Sequence, residues 1–482
     1  MASFTHNFNS LNQILLKQLN FYEPGPVEEH IVFSEEPGMV QTYCDRILAA
    51  KKRLPKIYHK SYVDPLVKNL QDIIDALRPI IGRREGWDPR KYTFLTNLVN
   101  AALQPDQALV APYLSAIQGI TNAIYCKFLA SRSRLGINTP LDQAIPPLVG
   151  FIGPLPPNIS EKAPMPSTFE LEQIRQSQWL AEYASGFKVG TIVIPAGYLK
   201  VPLLWGVLGH EVGGHYVLTA CKDDRLLYEL KTKVYYKVLK DYPKQVALLW
   251  RYWTEEAAAD VCGVLNLGPS FGISAISFYT AQMYRGKWTS SKEEISGVYD
   301  KDNEHPIQML VPCVISGAVD ALKDLSESRK HRYMAQLDEI ATFFSSEKKA
   351  IRFPGNPKLK DEEDRDIDLP AKQPLKEMQD LARKVGHYIA TVKLKALEGY
   401  TLQDLATWGD KEEDTALEIA NQLKYGTSAT DLLCQGTKAT GLQLLSGGIL
   451  AVIRNPDLYT HANEVLSKEL GLNYYTGAQI RR

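Results

Sequence analysis

The sequence predicts a mainly α-helical protein with a small β-sheet, an α+β chain. Three observations carry this. Apolar residues recur at helical spacing at Leu70, Ile73, Ile74 and Leu77, and again at Leu95, Leu98 and Ala102. The stretch from Lys244 to Leu267 reads as one long helix stopped by Gly268-Pro269. Gly190-Thr191-Ile192-Val193-Ile194-Pro195, by contrast, is short and β-branched, the pattern of a strand.

Taken in order, the chain divides into five segments. Residues 1–139 form a helical N-terminal region without a catalytic cluster. Residues 140–166 hold Pro140, Pro146, Pro147, Pro154, Pro156, Pro157, Pro164 and Pro166. Proline lacks a backbone donor and fixes φ, so this segment is expected to be an extended surface connector. Residues 167–350 carry the strand, a helix starting behind Pro202, the Lys244–Leu267 helix and further helices, and form the core that bears the chemistry. Residues 351–374 are a charged linker whose run from Lys358 to Asp368 reads as a solvated loop. Residues 375–482 read as helices again. No fixed-period repeat is present.

Composition narrows the function classes. At 482 residues, 45% hydrophobic and 23% charged, the chain is globular and large enough to enclose a dry site. Its 55 basic residues balance its 55 acidic ones, so neither nucleic acid nor an anionic membrane is an expected partner. Cys44, Cys126, Cys221, Cys262, Cys313 and Cys434 are scattered without a CxxC pair and read as buried thiols in a reducing compartment. The N-terminus shows no signal-peptide pattern, and the apolar run Leu444 to Ile453 is too short to span a bilayer. A cytoplasmic location is expected.

The chemistry lies in His210-Glu211-Val212-Gly213-Gly214-His215. Two histidines four apart on a helix lie about 40° apart and share a metal, with the intervening glutamate near the metal's water. Here the spacing is five. On a regular α-helix the rings would diverge by about 140°. They can converge only if the helix widens into a π-bulge of about 4.4 residues per turn, for which Gly213 and Gly214 offer backbone freedom. A third ligand is offered by Glu255-Glu256-Ala257-Ala258-Ala259-Asp260. Glu256 and Asp260 are four apart on one face, so Glu256 can bind metal while Asp260 supports a ligand histidine from behind. Glu255 is the competitor for third ligand. The three alanines keep the face open to a neighbouring helix.

This pair of motifs, HExxGH and EExxxD, resembles the dipeptidyl peptidase III family, and more broadly the gluzincin branch of zinc peptidases. The resemblance is confined to the residues around the two motifs. It implies a zincin-like metallopeptidase core with one zinc per chain, held by His210, His215 and Glu256. It further implies Glu211 as general base and Asp260 in support. His305 lies downstream, where gluzincin-like enzymes often place a helper histidine, and is expected as a second catalytic residue. Tyr279, Tyr284, Tyr459 and His461 are weaker candidates for stabilising the oxyanion, and Cys262 is expected to pack near the site without binding. His6, His30, His59, His331 and His387 are isolated.

The expected function is zinc-dependent hydrolysis of a peptide or protein substrate. Two alternatives stand beside it: hydrolysis of a non-peptide amide or ester, and a non-catalytic interaction protein on the same scaffold. The strand Thr191 to Pro195 is either an edge on which an extended substrate pairs or a plain core strand. Exopeptidase action and oligomeric state stay open.

Overall fold

Long stretches of three-to-four-residue apolar periodicity make helices the dominant element, and the short β-branched runs are left to pair among themselves. The computed structural model describes residues 4–20, 37–77, 98–104, 110–152, 167–169, 189–284, 294–296, 306, 309–345, 349–352, 358–360, 365–368, 372–425 and 439–480. Among these the chain is mainly α with three small sheets.

Strands β1 (Leu148–Ile152), β2 (Ser167–Phe169) and β3 (Thr191–Pro195) form a sheet in the order β1-β3-β2. β3 runs parallel to β1 and antiparallel to β2. β3 is therefore the central strand, buried along its length, and the edge-strand reading of Thr191 to Pro195 is set aside. The segment expected as a surface connector contains β1, whose Val149 and Phe151 are fully buried. Pro146 and Pro147 precede this strand, where missing donors cost no ladder bonds, and the prolines from Pro154 to Pro166 lie outside the described residues.

Alternating residues of a strand face opposite sides of its sheet, and β1 uses both. Val149 and Phe151 join the main core, whereas Leu148 joins a smaller core built by the Pro37–Ala50 and Asp64–Leu77 helices. The main core runs from Phe8, Leu11 and Leu15 on the Phe4–Asn20 helix to Leu466 and Leu470 on the Tyr459–Ile480 helix. The N- and C-terminal helical stretches thus share one core with the residues between them.

Strands β4 (Glu294–Ser296), β5 (Ala350–Arg352) and β8 (Lys372–Pro374) make a second sheet, and β6 (Lys358–Lys360) pairs with β7 (Asp366–Asp368). The charge run expected as a loop therefore contains an antiparallel pair. Its register sets Lys358 opposite Asp368 and Lys360 opposite Asp366.

Two helices position the site. Lys244–Leu267 and Pro269–Tyr284 form a hairpin that turns at Gly268. Gly268 has φ 79°, a left-handed value that favours glycine, and a Cβ there would run into the Trp408 indole. Trp408 is buried and donates to Glu413 Oε2 at 2.9 Å, while Tyr333 donates to Glu413 Oε1 at 2.5 Å. The C-terminal part of the chain thus buttresses the turn of the helical pair that carries Glu256 and Asp260. No helix among the described residues is long and apolar enough to cross a membrane.

Candidate metal centre

The helix entering the site passes through three pitches. Pro202–Val207 is 3₁₀, Leu208–His210 is α, and Glu211–Tyr216 is π. At π pitch, five residues turn about 410°, which brings His215 to within about 50° of His210 around the axis. The five-residue spacing and the wide turn therefore answer each other. The glycine pair contributes differently from expectation. Gly213 and Gly214 are not among the positive-φ glycines. A Cβ on Gly214 would overlap Cα and Cβ of Ala259, and one on Gly213 would lie 2.7 Å from Asn266 Nδ2. Their role is close approach: they let the π-turn press against the alanine face of the Lys244–Leu267 helix.

That contact brings three ligand atoms together. His210 Nε2 lies 3.1 Å from His215 Nε2 and 3.1 Å from Glu256 Oε2, and His215 Nε2 lies 3.5 Å from the same oxygen. A tetrahedral zinc with bonds of about 2.0–2.2 Å needs ligand atoms about 3.3–3.6 Å apart. The triangle approximates one face of such a tetrahedron, with two sides slightly short, and offers two imidazoles and a carboxylate as donors. Among the described residues it is the one cluster with metal-binding geometry. The residues present fit a zinc ion.

Each histidine is held from behind on its other nitrogen. His210 Nδ1 lies 2.9 Å from Asp260 Oδ1, and Tyr279 Oη lies 3.1 Å from that nitrogen and donates to that oxygen at 3.2 Å. His215 Nδ1 lies 3.4 Å from Glu255 Oε1, and Lys231 on the Arg225–Leu239 helix donates to Glu255 Oε2 at 2.7 Å. The two adjacent glutamates, about 100° apart on the helix, take different parts. Glu256 faces both Nε2 atoms, and Glu255 orients His215 as Asp260 orients His210. Carboxylates placed this way fix the tautomer that leaves Nε2 free for metal.

The electrostatics favour a cation. Burial opposes charge on His210, but Asp260 and Glu256 outweigh it and lift its pKa from 6.5 to about 9. Burial likewise opposes charge on His215, and Glu256 and Glu255 lift it well above its ordinary value. Burial would raise the Glu255 carboxyl, yet His215 and Lys231 draw it down to about 2. Burial and the neighbouring carboxylates push the Tyr279 phenol well up, so it stays a donor. Burial pushes the Cys262 thiol up to about 12, consistent with an inert packing residue.

A pH prediction follows for the metal-free protein. A histidine whose pKa is raised on folding stabilises the fold below its unfolded pKa, and that stability is lost as pH rises through the folded pKa. Metal-free protein should therefore lose stability between pH 6.5 and about 9. Zinc needs both rings deprotonated, so binding at neutral pH should expel about two protons. Calorimetry in buffers of different ionisation enthalpy measures this number. Binding without proton release would contradict the placement of the metal on these rings.

The remaining sequence candidates fall as follows. Glu211 is buried on the π-turn directly after His210, and its charge acts on His215 and Tyr279. Tyr279 sits behind His210, on the side away from the ligand triangle. Tyr284 ends its helix. Tyr459 lines an apolar cavity with Leu11, Leu203 and Ile449, and His461 is outside the metal cluster. His305 lies outside the described residues. The parts of Glu255 and Lys231 were not read from the sequence. Adjacent glutamates look alike until a neighbouring helix fixes their rotation. The chain matches no protein-family model, no curated protein and no solved structure.

Proposed function

We propose that the protein is a zinc-dependent hydrolase acting on peptide bonds, with a gluzincin-like pair of helices at its centre. The observation that carries this reading is the convergence of His210, His215 and Glu256 beside the buried carboxylate of Glu211. Zinc bound there would supply Lewis acidity, polarising a carbonyl and acidifying a water.

The chain's own residues do the rest. Glu211 follows the ligand His210 on the same wide turn, where it takes up the attacking water's proton and returns it to the leaving nitrogen. Asp260 and Glu255 hold the imidazoles in the tautomer that faces inward. Partial burial of the group limits contact with bulk water, so these charges interact more strongly than they would at the surface. His305 is the candidate for stabilising charge that develops on the carbonyl oxygen.

The test is to incubate the full chain with a peptide mixture, with and without chelator, and to map cleavage by mass spectrometry. Zinc-loaded protein should cleave, and chelated protein should not. Glu211→Gln should keep its zinc and lose about 10²- to 10⁴-fold in rate. Undiminished hydrolysis by zinc-loaded Glu211→Gln would refute the base role. Absence of any peptide cleavage by the zinc-loaded protein would refute the substrate class.

A further inference from the structure

We infer that Tyr279 is a positioning residue for His210, acting through Asp260; this rests on the metal reading above. His210 Nδ1, Asp260 Oδ1 and Tyr279 Oη form a closed triangle with sides of 2.9, 3.1 and 3.2 Å. Each corner comes from a different helical element: the His210 turn, the Lys244–Leu267 helix and the Pro269–Tyr284 helix. All three residues are buried, with Asp260 only 1% exposed.

A buried carboxylate must be supplied with donors, and a buried phenol with an acceptor. Asp260 Oδ1 receives the imidazole N–H and the Tyr279 O–H together, so the carboxylate cannot swing without breaking two bonds. The imidazole is restrained in turn. Turning Nε2 away from His215 and Glu256 would pull Nδ1 off both oxygens at once. The Tyr279 ring also meets the His210 ring edge-on, at 73° and 6.1 Å between centroids. His215 is held more loosely, since its Nδ1 partner Glu255 lies at 3.4 Å and the Lys231 behind it is 27% exposed. His210 is the fixed ligand of the pair, and Tyr279 completes its fixation.

The test uses cobalt(II) as a visible probe for the full chain, with affinity read by competition against a chelator. Tyr279→Phe keeps the ring and removes only the hydroxyl. Its cobalt affinity should fall about 10- to 100-fold, with an altered d–d absorption band. Tyr62→Phe, which also removes a buried hydroxyl but from the separate smaller core, should leave both readouts in place. Because Tyr279 acts through Asp260, adding Tyr279→Phe to Asp260→Asn should cost less than about twofold more. Wild-type affinity and spectrum in Tyr279→Phe, or a fully additive loss in the double variant, would overturn this role alone. Failure of the unmodified protein to bind cobalt would overturn the metal reading, and this role with it.

Discussion

Replacing Gly214 by alanine should destabilise the protein by about 2 kcal/mol and abolish zinc binding at the proposed centre. Two effects oppose each other. Alanine favours a helix interior over glycine by about 1 kcal/mol. Against this, the added methyl would overlap the Ala259 backbone, an obstacle that no side-chain rotation clears. Overpacking of this kind costs up to about 3 kcal/mol, so destabilisation wins. The functional loss should exceed the loss in stability, because the helices can part only by carrying His215, the next residue, away from Glu256. Chemical denaturation and zinc content measured together check this. A stabilised, zinc-replete Gly214→Ala protein would show that the two helices do not meet as described.

Glu256→Gln and Glu255→Gln should differ sharply although the residues are neighbours. Structural zinc binding contributes about 10–16 kcal/mol, and one of three protein ligands carries roughly a third of it. Loss of the Glu256 carboxylate should therefore weaken zinc binding about a thousandfold. Glu255→Gln leaves all three ligands and disturbs only the support of His215, which should cost about 10- to 100-fold. Its stability should fall as well, since Lys231 loses the carboxylate that holds it. Chelator competition ranks the two variants. The opposite ranking would mean that the Lys244–Leu267 helix presents Glu255, not Glu256, to the metal.

These contrasts mark where the sequence could be read and where it could not. The candidate ligand types and their spacing were legible because metal chemistry restricts them to a few residues at fixed intervals. The five-residue gap between His210 and His215 demanded a wide turn, and Glu211–Tyr216 is a π-helix. The reason for the glycines was misjudged. Sequence shows a flexible residue, but only packing shows that Ala259 fills the space where a Cβ would go. The division of labour between Glu255 and Glu256 was half visible. It depends on the rotation of one helix and on Lys231 from another, which are long-range facts. Tyr279 was one tyrosine among 25 until the hairpin at Gly268 folded it back onto Asp260.

The sheet was less legible than the helices. The strand at Thr191–Pro195 was plain from its β-branched run. β1 was hidden among prolines, which signal a connector but here only bracket a buried strand. In the charge run, a solvated loop could not be told from a short paired ladder, because a run of lysines and aspartates suits either.

Zinc stoichiometry tests the metal centre most directly. Protein purified without chelator should contain one zinc per chain by plasma mass spectrometry, and stripped protein should regain it on addition of zinc. A protein that carries no stoichiometric zinc, and takes up none when it is supplied, would contradict the assignment of His210, His215 and Glu256 as a metal site.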